Sequence, residues 1–170
     1  MNSNKNLVFL GMMGAGKSSI GKIISKKLNI PFIDIDNLIE EYAGMTISEI
    51  FKNNGEVYFR NLEEKITLKS LSNKKNVISL GGGGFINDNI RKDVKSNHIS
   101  FWLDWNESVL LKRIKSSKKR PLAFKSSFQE IKDIIKKRSK IYSKANYKIN
   151  CNKLTKTEIV NKIIKIYELN

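Results

Sequence analysis

Cysteine, histidine, proline and long apolar segments are all scarce in this 170-residue chain, and each scarcity excludes a class of protein. Its one cysteine, Cys151, has no partner for an intramolecular disulfide, so the chain is expected in a reducing, cytoplasmic setting. With His98 as the one histidine, a metal centre built from Cys and His is excluded, and Ser–His or Cys–His catalysis would depend on that residue alone. Its place in the apolar segment HISFWLD is typical of a structural histidine at a strand edge.

No apolar run approaches the roughly 18 residues that a membrane span requires, and the first residues lack the apolar stretch of a secretory signal. The two prolines and ten glycines are not gathered into a linker, and no low-complexity tract is present. A composition of 40% hydrophobic and 28% charged residues suits one core at this length. The sequence therefore predicts a single domain over residues 1–170 that is not an integral membrane protein.

Arginine is scarce as well, since five of the 32 basic residues are arginines and the others are lysines. The net charge of +16 lies mostly in residues 111–170, which contain 18 Lys and Arg against four Asp and Glu. Such a surface can bind nucleic acid or concentrate a polyanion such as ATP. The abundance of Lys, Ile and Asn also fits AT-rich codon usage, so we interpret the surplus lysines as solvated helix faces and do not expect a nucleic-acid partner. The five arginines are then the more informative basic residues.

Short apolar runs alternate with longer amphipathic stretches along the whole chain. The runs predict strands at residues 6–10, 32–34, 77–80, 99–103 and 147–150. The amphipathic stretches predict helices at residues 17–28, 37–42, 48–53, 57–71, 88–95, 108–115, 128–144 and 156–167. Three helices begin with capping boxes, which pair Thr46 with Glu49, Ser127 with Glu130, and Thr155 with Glu158. This alternation predicts an α/β fold with a five-stranded parallel sheet, helices on both faces, and ligands beyond the carboxyl ends of the strands.

Seven of the ten glycines follow the first and third predicted strands, at positions 11, 14, 16 and 81–84. The first group lies in GMMGAGKS, residues 11–18, which matches the phosphate-binding pattern GxxxxGK[ST] between a strand and a helix. Backbone N–H groups of such a loop surround a phosphate, the lysine reaches the β- and γ-phosphates, and the hydroxyl ligates Mg²⁺. A simple glycine turn that caps a helix is the structural alternative. The pattern predicts an ATP-binding P-loop formed by Gly11, Gly14, Ala15, Gly16, Lys17, Ser18 and Ser19.

Two carboxylates, Asp34 and Asp36, stand two residues apart at the end of the second predicted strand. Residues two apart share one face of a strand, so both side chains are expected to project toward the γ-phosphate. One carboxylate near Mg²⁺ and one near an acceptor hydroxyl suit phosphoryl transfer. Asp36 as a cap of the following helix is the structural alternative, and the two roles are compatible.

Further motifs follow the P-loop in a fixed order. They are Asp34 and Asp36, then Ile50-Phe51, Gly55-Glu56, Phe59-Arg60 and Glu63, then Gly81-Gly82-Gly83, then Arg120-Pro121-Leu122, and finally Arg138, Tyr142 and Ala145. This ordered set resembles the shikimate kinase family, and the match extends from about residue 5 to residue 168. The resemblance implies a P-loop NTPase fold like that of nucleoside monophosphate kinases, with a shikimate-binding segment at about 36–63 and a mobile lid at about 115–126.

The activity that the resemblance implies is ATP-dependent phosphorylation of the 3-hydroxyl of shikimate, in chorismate and aromatic amino-acid biosynthesis. It implies a cytoplasmic monomer that acts on small molecules with Mg²⁺. The catalytic residues would be Lys17, Asp36 and Arg120, and the metal would be held by Ser18 and Asp34. Arg120 would approach the transferred phosphoryl group when the lid closes.

Substrate-binding residues follow from the same resemblance. Shikimate would be bound by Asp36, Arg60, Gly81, Gly82, Gly83 and Arg138, with Glu63 orienting Arg60 and with Phe51 and Phe59 as walls or simply as core. Arg113 would stack on adenine, beside a loop at 152–154, although a plain surface role on its helix remains the alternative. Two departures from the family are visible: a fourth glycine, Gly84, stands where alanine is usual, and the lid has RPLA where RPLL is commoner.

Two other readings compete with this one. Another small-molecule P-loop kinase, for gluconate or a nucleoside monophosphate, would share the P-loop but not the arginine pair with the glycine loop. A nucleic-acid-binding NTPase would use the lysine-rich last third, although the chain lacks an aromatic-rich basic motif.

Overall fold

A computed structural model of the chain describes residues 4–73, 75–116 and 127–169. Its sheet has five strands, all parallel, in the order β2-β3-β1-β4-β5. The strands are β1 Leu7–Leu10, β2 Phe32–Asp34, β3 Val77–Ser79, β4 Ile99–Asp104 and β5 Tyr147–Asn150. The predicted five-stranded parallel sheet is therefore confirmed, with strand ends within one residue of the expected positions.

Seven helices connect or flank the strands in the described residues. They are α1 Lys17–Leu28, α2 Ile35–Ala43, α3 Ile47–Ser72, α4 Asp88–Asn97, α5 Glu107–Lys115, α6 Phe128–Tyr142 and α7 Lys156–Glu168, and a short 3-10 helix spans Gly84–Ile86. The three predicted capping boxes are all formed, at the starts of α3, α6 and α7. In each, a carboxylate accepts the N-cap N–H, and the N-cap hydroxyl accepts an N–H from the first turn.

Two of the differences from the predicted helices and strands lie near the site. α2 begins at Ile35, directly after β2, so Asp36 lies in the first turn of a helix and not on a strand face beside Asp34. The expected helices 48–53 and 57–71 are parts of α3, which is interrupted at Gly55, where φ is 82° and ψ is 174°. Such a conformation is open to glycine and costly for other residues, so Gly55 reorients the chain between the two halves of α3.

The core lies on both faces of the sheet. All four residues of β1 are fully buried, as expected of a central parallel strand covered by helices on each side. Phe9, Phe101 and Tyr147 stack across β1, β4 and β5, with ring centroids 5.7 and 5.4 Å apart. α1 approaches the sheet closely at Gly21, where a Cβ atom would lie 2.6 Å from the Phe32 ring.

Cys151 and His98 lie in the interior. Burial, with a smaller contribution from Asp104, raises the pKa of the Cys151 thiol to about 12, so the thiol stays protonated at neutral pH. His98 precedes β4, at the amino end of that strand, and burial lowers its pKa despite Asp93 nearby. His98 therefore lies at the edge of the sheet opposite the carboxyl ends of the strands. No helix in the described ranges has the length and apolarity to cross a membrane.

Candidate active site

The P-loop connects the carboxyl end of β1 to the amino end of α1. Gly16, with a φ of 89°, precedes Lys17, the first residue of the helix. The first turn of α1 contains no acidic side chain, so its N–H groups and the helix dipole favour an anion. Lys17 is buried, and its Nζ donates to the carbonyl oxygens of Gly11 at 2.9 Å and Met12 at 3.1 Å. The lysine therefore fixes the first half of the loop while its charge stays at the helix terminus.

A cavity of about 300 Å³ lies between this helix terminus and the carboxyl ends of β2 and β3. P-loop residues form one side of it, and Asp36 of α2 with the end of β3 forms the other. The lining residues are Gly14, Gly16, Lys17, Ser18, Ser19, Asp36, Ser79 and Leu80. The structure thus brings the predicted catalytic carboxylate to the same cavity as the predicted phosphate-binding groups.

Ser18 lies beside a second hydroxyl, on a strand whose neighbour ends in a carboxylate. The Ser18 hydroxyl oxygen lies 3.4 Å from that of Ser79, and Asp34 is the register partner of Ser79 on the neighbouring strand. Mg²⁺ prefers oxygen ligands and is usually held by one or two carboxylates together with phosphates of the substrate. This donor set fits such an ion. Among the described residues, no group of three or more His, Cys, Asp and Glu side chains forms a metal cage of its own.

The glycine loop after β3 approaches two carboxylates closely. A Cβ atom at Gly81 would lie 2.6 Å from Asp36 Oδ1 and 2.7 Å from Glu63 Oε1. A side chain at this position would therefore displace one carboxylate or the other. The sequence predicted that backbone would approach a ligand here, and the structure places two carboxylates of the predicted acceptor site at the same point.

Arg60 is held by carboxylates on its own helix. Its Nη1 donates to Glu63 Oε2 at 2.6 Å, and its Nε and Nη2 donate to Glu56 Oε1 at 3.3 and 3.2 Å. Burial alone would lower the pKa of the Arg60 guanidinium, but the two carboxylates outweigh it and raise that pKa, so the arginine remains charged. Burial raises the pKa of the Glu63 carboxyl, an effect that Arg60 opposes. The expected orienting contact between Glu63 and Arg60 is present.

Phe59 and Phe51 support this arginine from the core side. Phe59 is buried, Phe51 is half-buried, and their ring centroids lie 4.6 Å apart. The Arg60 guanidinium carbon lies 5.0 Å from the Phe59 centroid, which is within the range of a cation–π contact. Packing in the core thus accounts for both rings, and their role as walls of a substrate site stays a prediction.

α6 contributes to the glycine loop from a distant part of the sequence. Arg138 Nη1 donates to the Gly82 carbonyl oxygen at 3.0 Å, and the buried Tyr142 hydroxyl donates to the same oxygen. Because a peptide unit is planar, the N–H of Gly83 points away from the carbonyl that α6 holds. Arg138 and Arg60 thereby meet at one loop, since a Cβ atom at Gly83 would collide with the Arg60 guanidinium.

A second cavity, of about 390 Å³, adjoins the first at the P-loop. It is lined by Gly14, Ala15, Gly16, Ser19, Ile20, Trp105, Arg113, Leu154, Lys156 and Ile159. Arg113 and the 152–154 loop were predicted to border adenine. Arg113 lines this cavity, and the loop lines it through Leu154. The backbone N–H of Asn106 donates to the Asn152 side chain at 2.8 Å, which links the loops after β4 and β5.

Three residues that sequence reasoning gave no role also belong to the site. Ser79 and Trp105 were overlooked, although both lie where a strand ends, which is the signal that could have found them. Tyr142 appeared as part of a motif without a function, yet it stands one helical turn after Arg138 and shares its acceptor. Arg120 and most of the predicted lid at about 115–126 lie outside the described residues.

A parallel sheet with a P-loop after its first strand, a carboxylate facing the phosphate-binding cavity, and an arginine-lined loop beside it define a P-loop kinase of small molecules. A model of the family described as shikimate kinase matches residues 13–168 of the chain. The chain belongs to the shikimate kinase family.

Individual relatives agree over nearly the whole chain. A shikimate kinase of Thermodesulfovibrio yellowstonii is 41% identical over 165 residues, which are 96% of this chain and 95% of the relative. The structure of an Acinetobacter baumannii shikimate kinase in complex with shikimate has a TM-score of 0.92 and 31% identity, and covers 99% of this chain and 96% of its own. The Aquifex aeolicus shikimate kinase structure has a TM-score of 0.85 and 40% identity, covering 96% of both chains.

Kinases of the kind named in the competing interpretation resemble the chain less closely. A gluconokinase of Sinorhizobium meliloti has a TM-score of 0.56 and 16% identity, and a deoxyadenosine kinase of M. mycoides has a TM-score of 0.64 and 20% identity. At such identities the likeness shows the fold alone. It agrees with the fold class expected from the sequence, a five-stranded parallel sheet with helices on both faces.

Proposed function

We propose that the chain transfers the γ-phosphoryl group of ATP to the 3-hydroxyl of shikimate, giving shikimate 3-phosphate and ADP, as a step of chorismate and aromatic amino-acid biosynthesis. The observation that carries the acceptor half is the meeting of Arg60, Arg138 and Asp36 around the glycine loop beside the P-loop cavity. A guanidinium pair suits the carboxylate of shikimate, and a carboxylate at the cavity suits its reacting hydroxyl.

The phosphate half of the reaction is assigned to α1 and the P-loop. Lys17 and the first-turn N–H groups of α1 stabilise charge on the β- and γ-phosphates as it develops during transfer. Asp36, on the opposite wall of the same cavity, accepts a hydrogen bond from the acceptor hydroxyl and either takes its proton or directs its oxygen in line with the γ-phosphorus. Lys17 and Asp36 both lie in the first turn of a helix, so the two groups are held at a fixed separation before substrate binds.

Mg²⁺ is the metal that this donor set fits, with Ser18 and Asp34 as the residues that would hold it. A bound Mg²⁺ would supply positive charge that offsets the negative charge of the nucleotide phosphates and so favours attack by the hydroxyl. Arg120, in a lid at about 115–126, is proposed to supply a further positive charge and to exclude water on closure.

Adenine is assigned to the larger cavity, between Arg113 and the loop that contains Leu154. We further propose a cytoplasmic monomer that acts on these small molecules without a nucleic-acid partner. Exposed lysines on α6 and α7, such as Lys136, Lys137 and Lys162, support the interpretation of the positive charge as solvated helix faces.

Substrate selectivity tests the proposal directly. Purified protein with Mg²⁺ and ATP is assayed for ADP release with shikimate, gluconate or nucleoside monophosphates as the acceptor. We expect turnover with shikimate well above the rate without an acceptor, and none of comparable size with the others. Stimulation by gluconate or a nucleotide instead of shikimate would contradict the acceptor assignment while leaving the ATP site in place.

Arg138→Ala tests the carboxylate assignment separately. Loss of a charge-assisted contact costs about 1.5–3 kcal/mol, so we expect KM for shikimate to rise by about 10- to 100-fold with a much smaller change in kcat and in KM for ATP. Tyr142 still donates to Gly82 in this variant, so the loop keeps one of its supports. Lys137→Ala removes a neighbouring exposed charge from the same helix and is the matched control. An unchanged KM for shikimate would reject Arg138 as a carboxylate ligand.

A further inference from the structure

Trp105 connects the end of β4 to the P-loop across 90 residues of sequence. It is the first residue after β4 and is half-buried on the wall of the larger cavity. Its indole N–H donates to the Ala15 carbonyl oxygen at 2.9 Å. Tryptophan has a single donor, and here that donor is directed at the loop that would surround the phosphates.

The guanidinium of Arg113 stacks on the indole ring of Trp105. The Arg113 guanidinium carbon lies 3.9 Å from the indole centroid, whereas the other cation–π pairs of the described residues lie at 4.7 to 6.0 Å. Arg113 Nη1 also donates to the Gly14 carbonyl oxygen at 3.3 Å. Two consecutive P-loop carbonyls, of Gly14 and Ala15, are therefore held by two side chains that contact each other.

We propose that Trp105 is a positioning residue of the nucleotide site, which fixes the Ala15 carbonyl through its N–H and holds the Arg113 guanidinium on its ring for stacking against the adenine base. The inference rests on the proposed function, because it takes ATP as the occupant of the larger cavity. Trp105 lies outside the P-loop. Its indole N–H acts on the phosphate end of the nucleotide, and its ring acts on the base.

The indole N–H of Trp105 affects phosphate binding through the P-loop backbone. Because the Ala15–Gly16 peptide is planar, holding its carbonyl toward Trp105 directs the Gly16 N–H to the opposite side. Consecutive N–H groups directed to one side form the concave anion site of a P-loop, and Gly16 lines both cavities. Trp105 therefore helps to fix this arrangement before the nucleotide binds.

The indole ring of Trp105 affects adenine binding through Arg113. A free arginine side chain has several rotatable bonds, and ordering it when adenine binds costs conformational entropy. Stacked on Trp105 and bonded to Gly14, the guanidinium is already ordered in the unliganded protein. Base stacking then costs less entropy than it would with a mobile arginine.

Calorimetric binding of ADP and of inorganic pyrophosphate separates the two halves. Trp105→Phe keeps a ring under Arg113 but has no N–H, so we expect both ligands to bind about threefold more weakly. Trp105→Leu removes the ring as well, so we expect pyrophosphate to weaken by the same factor and ADP by about tenfold more. Melting temperatures of both variants establish that they are folded before binding is measured.

A double-mutant cycle tests whether the ring acts through Arg113. In the Arg113→Ala background, Trp105→Leu should weaken ADP no more than it weakens pyrophosphate, because the arginine that it supports is gone. Tyr42→Leu is the control and should leave both affinities unchanged, because it disrupts a cation–π pair between exposed Tyr42 at the end of α2 and Lys65 of α3.

Three results would overturn the inference. Equal losses for ADP and pyrophosphate in Trp105→Leu would remove the ring's role, and unchanged pyrophosphate binding in Trp105→Phe would remove that of the N–H. Tighter ADP binding in Trp105→Leu would mean that the indole–guanidinium pair occupies the place of the base. Failure of the proposed nucleotide site is distinguishable, since the unaltered protein would then not bind ADP, whereas failure of the acceptor assignment alone would leave ADP binding by the unaltered protein intact.

Discussion

Asp36→Asn is expected to lower kcat with shikimate by about 10²- to 10⁴-fold, the usual contribution of a positioned acid or base. An asparagine retains the shape of the side chain but carries no negative charge and is a far weaker proton acceptor. Because Lys17, Ser18 and the α1 terminus are unaltered, ATP affinity should remain within a few-fold of that of the unaltered protein. Steady-state kinetics, with calorimetric binding of ATP, separate these two effects.

Glu41→Gln is the matched control for this variant. It removes one negative charge from an exposed position on the same helix, so it should leave kcat unchanged. If Asp36→Asn turns over at a rate close to that of the control, Asp36 is not part of the catalytic machinery. A parallel loss of ATP affinity and kcat would instead place Asp36 in the nucleotide site and not at the acceptor hydroxyl.

Gly81→Ala is expected to lower kcat/KM for shikimate by about 100-fold and to destabilise the fold by about 1–3 kcal/mol, the usual cost of overpacking. The added Cβ would lie 2.6 Å from Asp36 Oδ1 and 2.7 Å from Glu63 Oε1, so at least one carboxylate must move. Movement of Glu63 also breaks its ion pair with Arg60, a contact of 2.6 Å, and leaves Arg60 paired with Glu56 alone. Kinetics at several shikimate concentrations and a thermal melt measure the two effects.

Gly84→Ala provides the comparison within the same loop. A Cβ atom there would meet Glu63 Oε1 and Leu80 at 3.6 Å, which is ordinary van der Waals contact. We expect unchanged activity and a stability equal to that of the original chain or higher by about 0.4–1 kcal/mol, because alanine restricts the unfolded chain. The packing around Gly84 therefore does not require glycine at this position, where alanine is usual in the family. Equal activity of the two alanine variants would contradict the close packing argued for Gly81.

Elements with strong local signals could be predicted from the sequence. The P-loop, the five strands and the three capping boxes depend on residues a few positions apart, so hydrophobic period, glycine spacing and the Ser/Thr–Glu pattern were sufficient. The contact of Arg60 with Glu63 is of the same kind, one turn apart on a helix. The two differences near the site were at α2 and α3, where a helix begins directly after a strand and where Gly55 interrupts a helix without ending it.

The sequence by itself determined the kind of chemistry: a phosphate loop, a carboxylate pair and an ordered set of motifs that match one kinase family. Only the tertiary structure decided which groups meet. Arg138 reaches Gly82 across 56 residues and Trp105 reaches Ala15 across 90, contacts that no local pattern encodes. The physical reason is that parallel strands bring all their carboxyl ends to one edge, where strand order, β2-β3-β1-β4-β5, sets the neighbours of each loop.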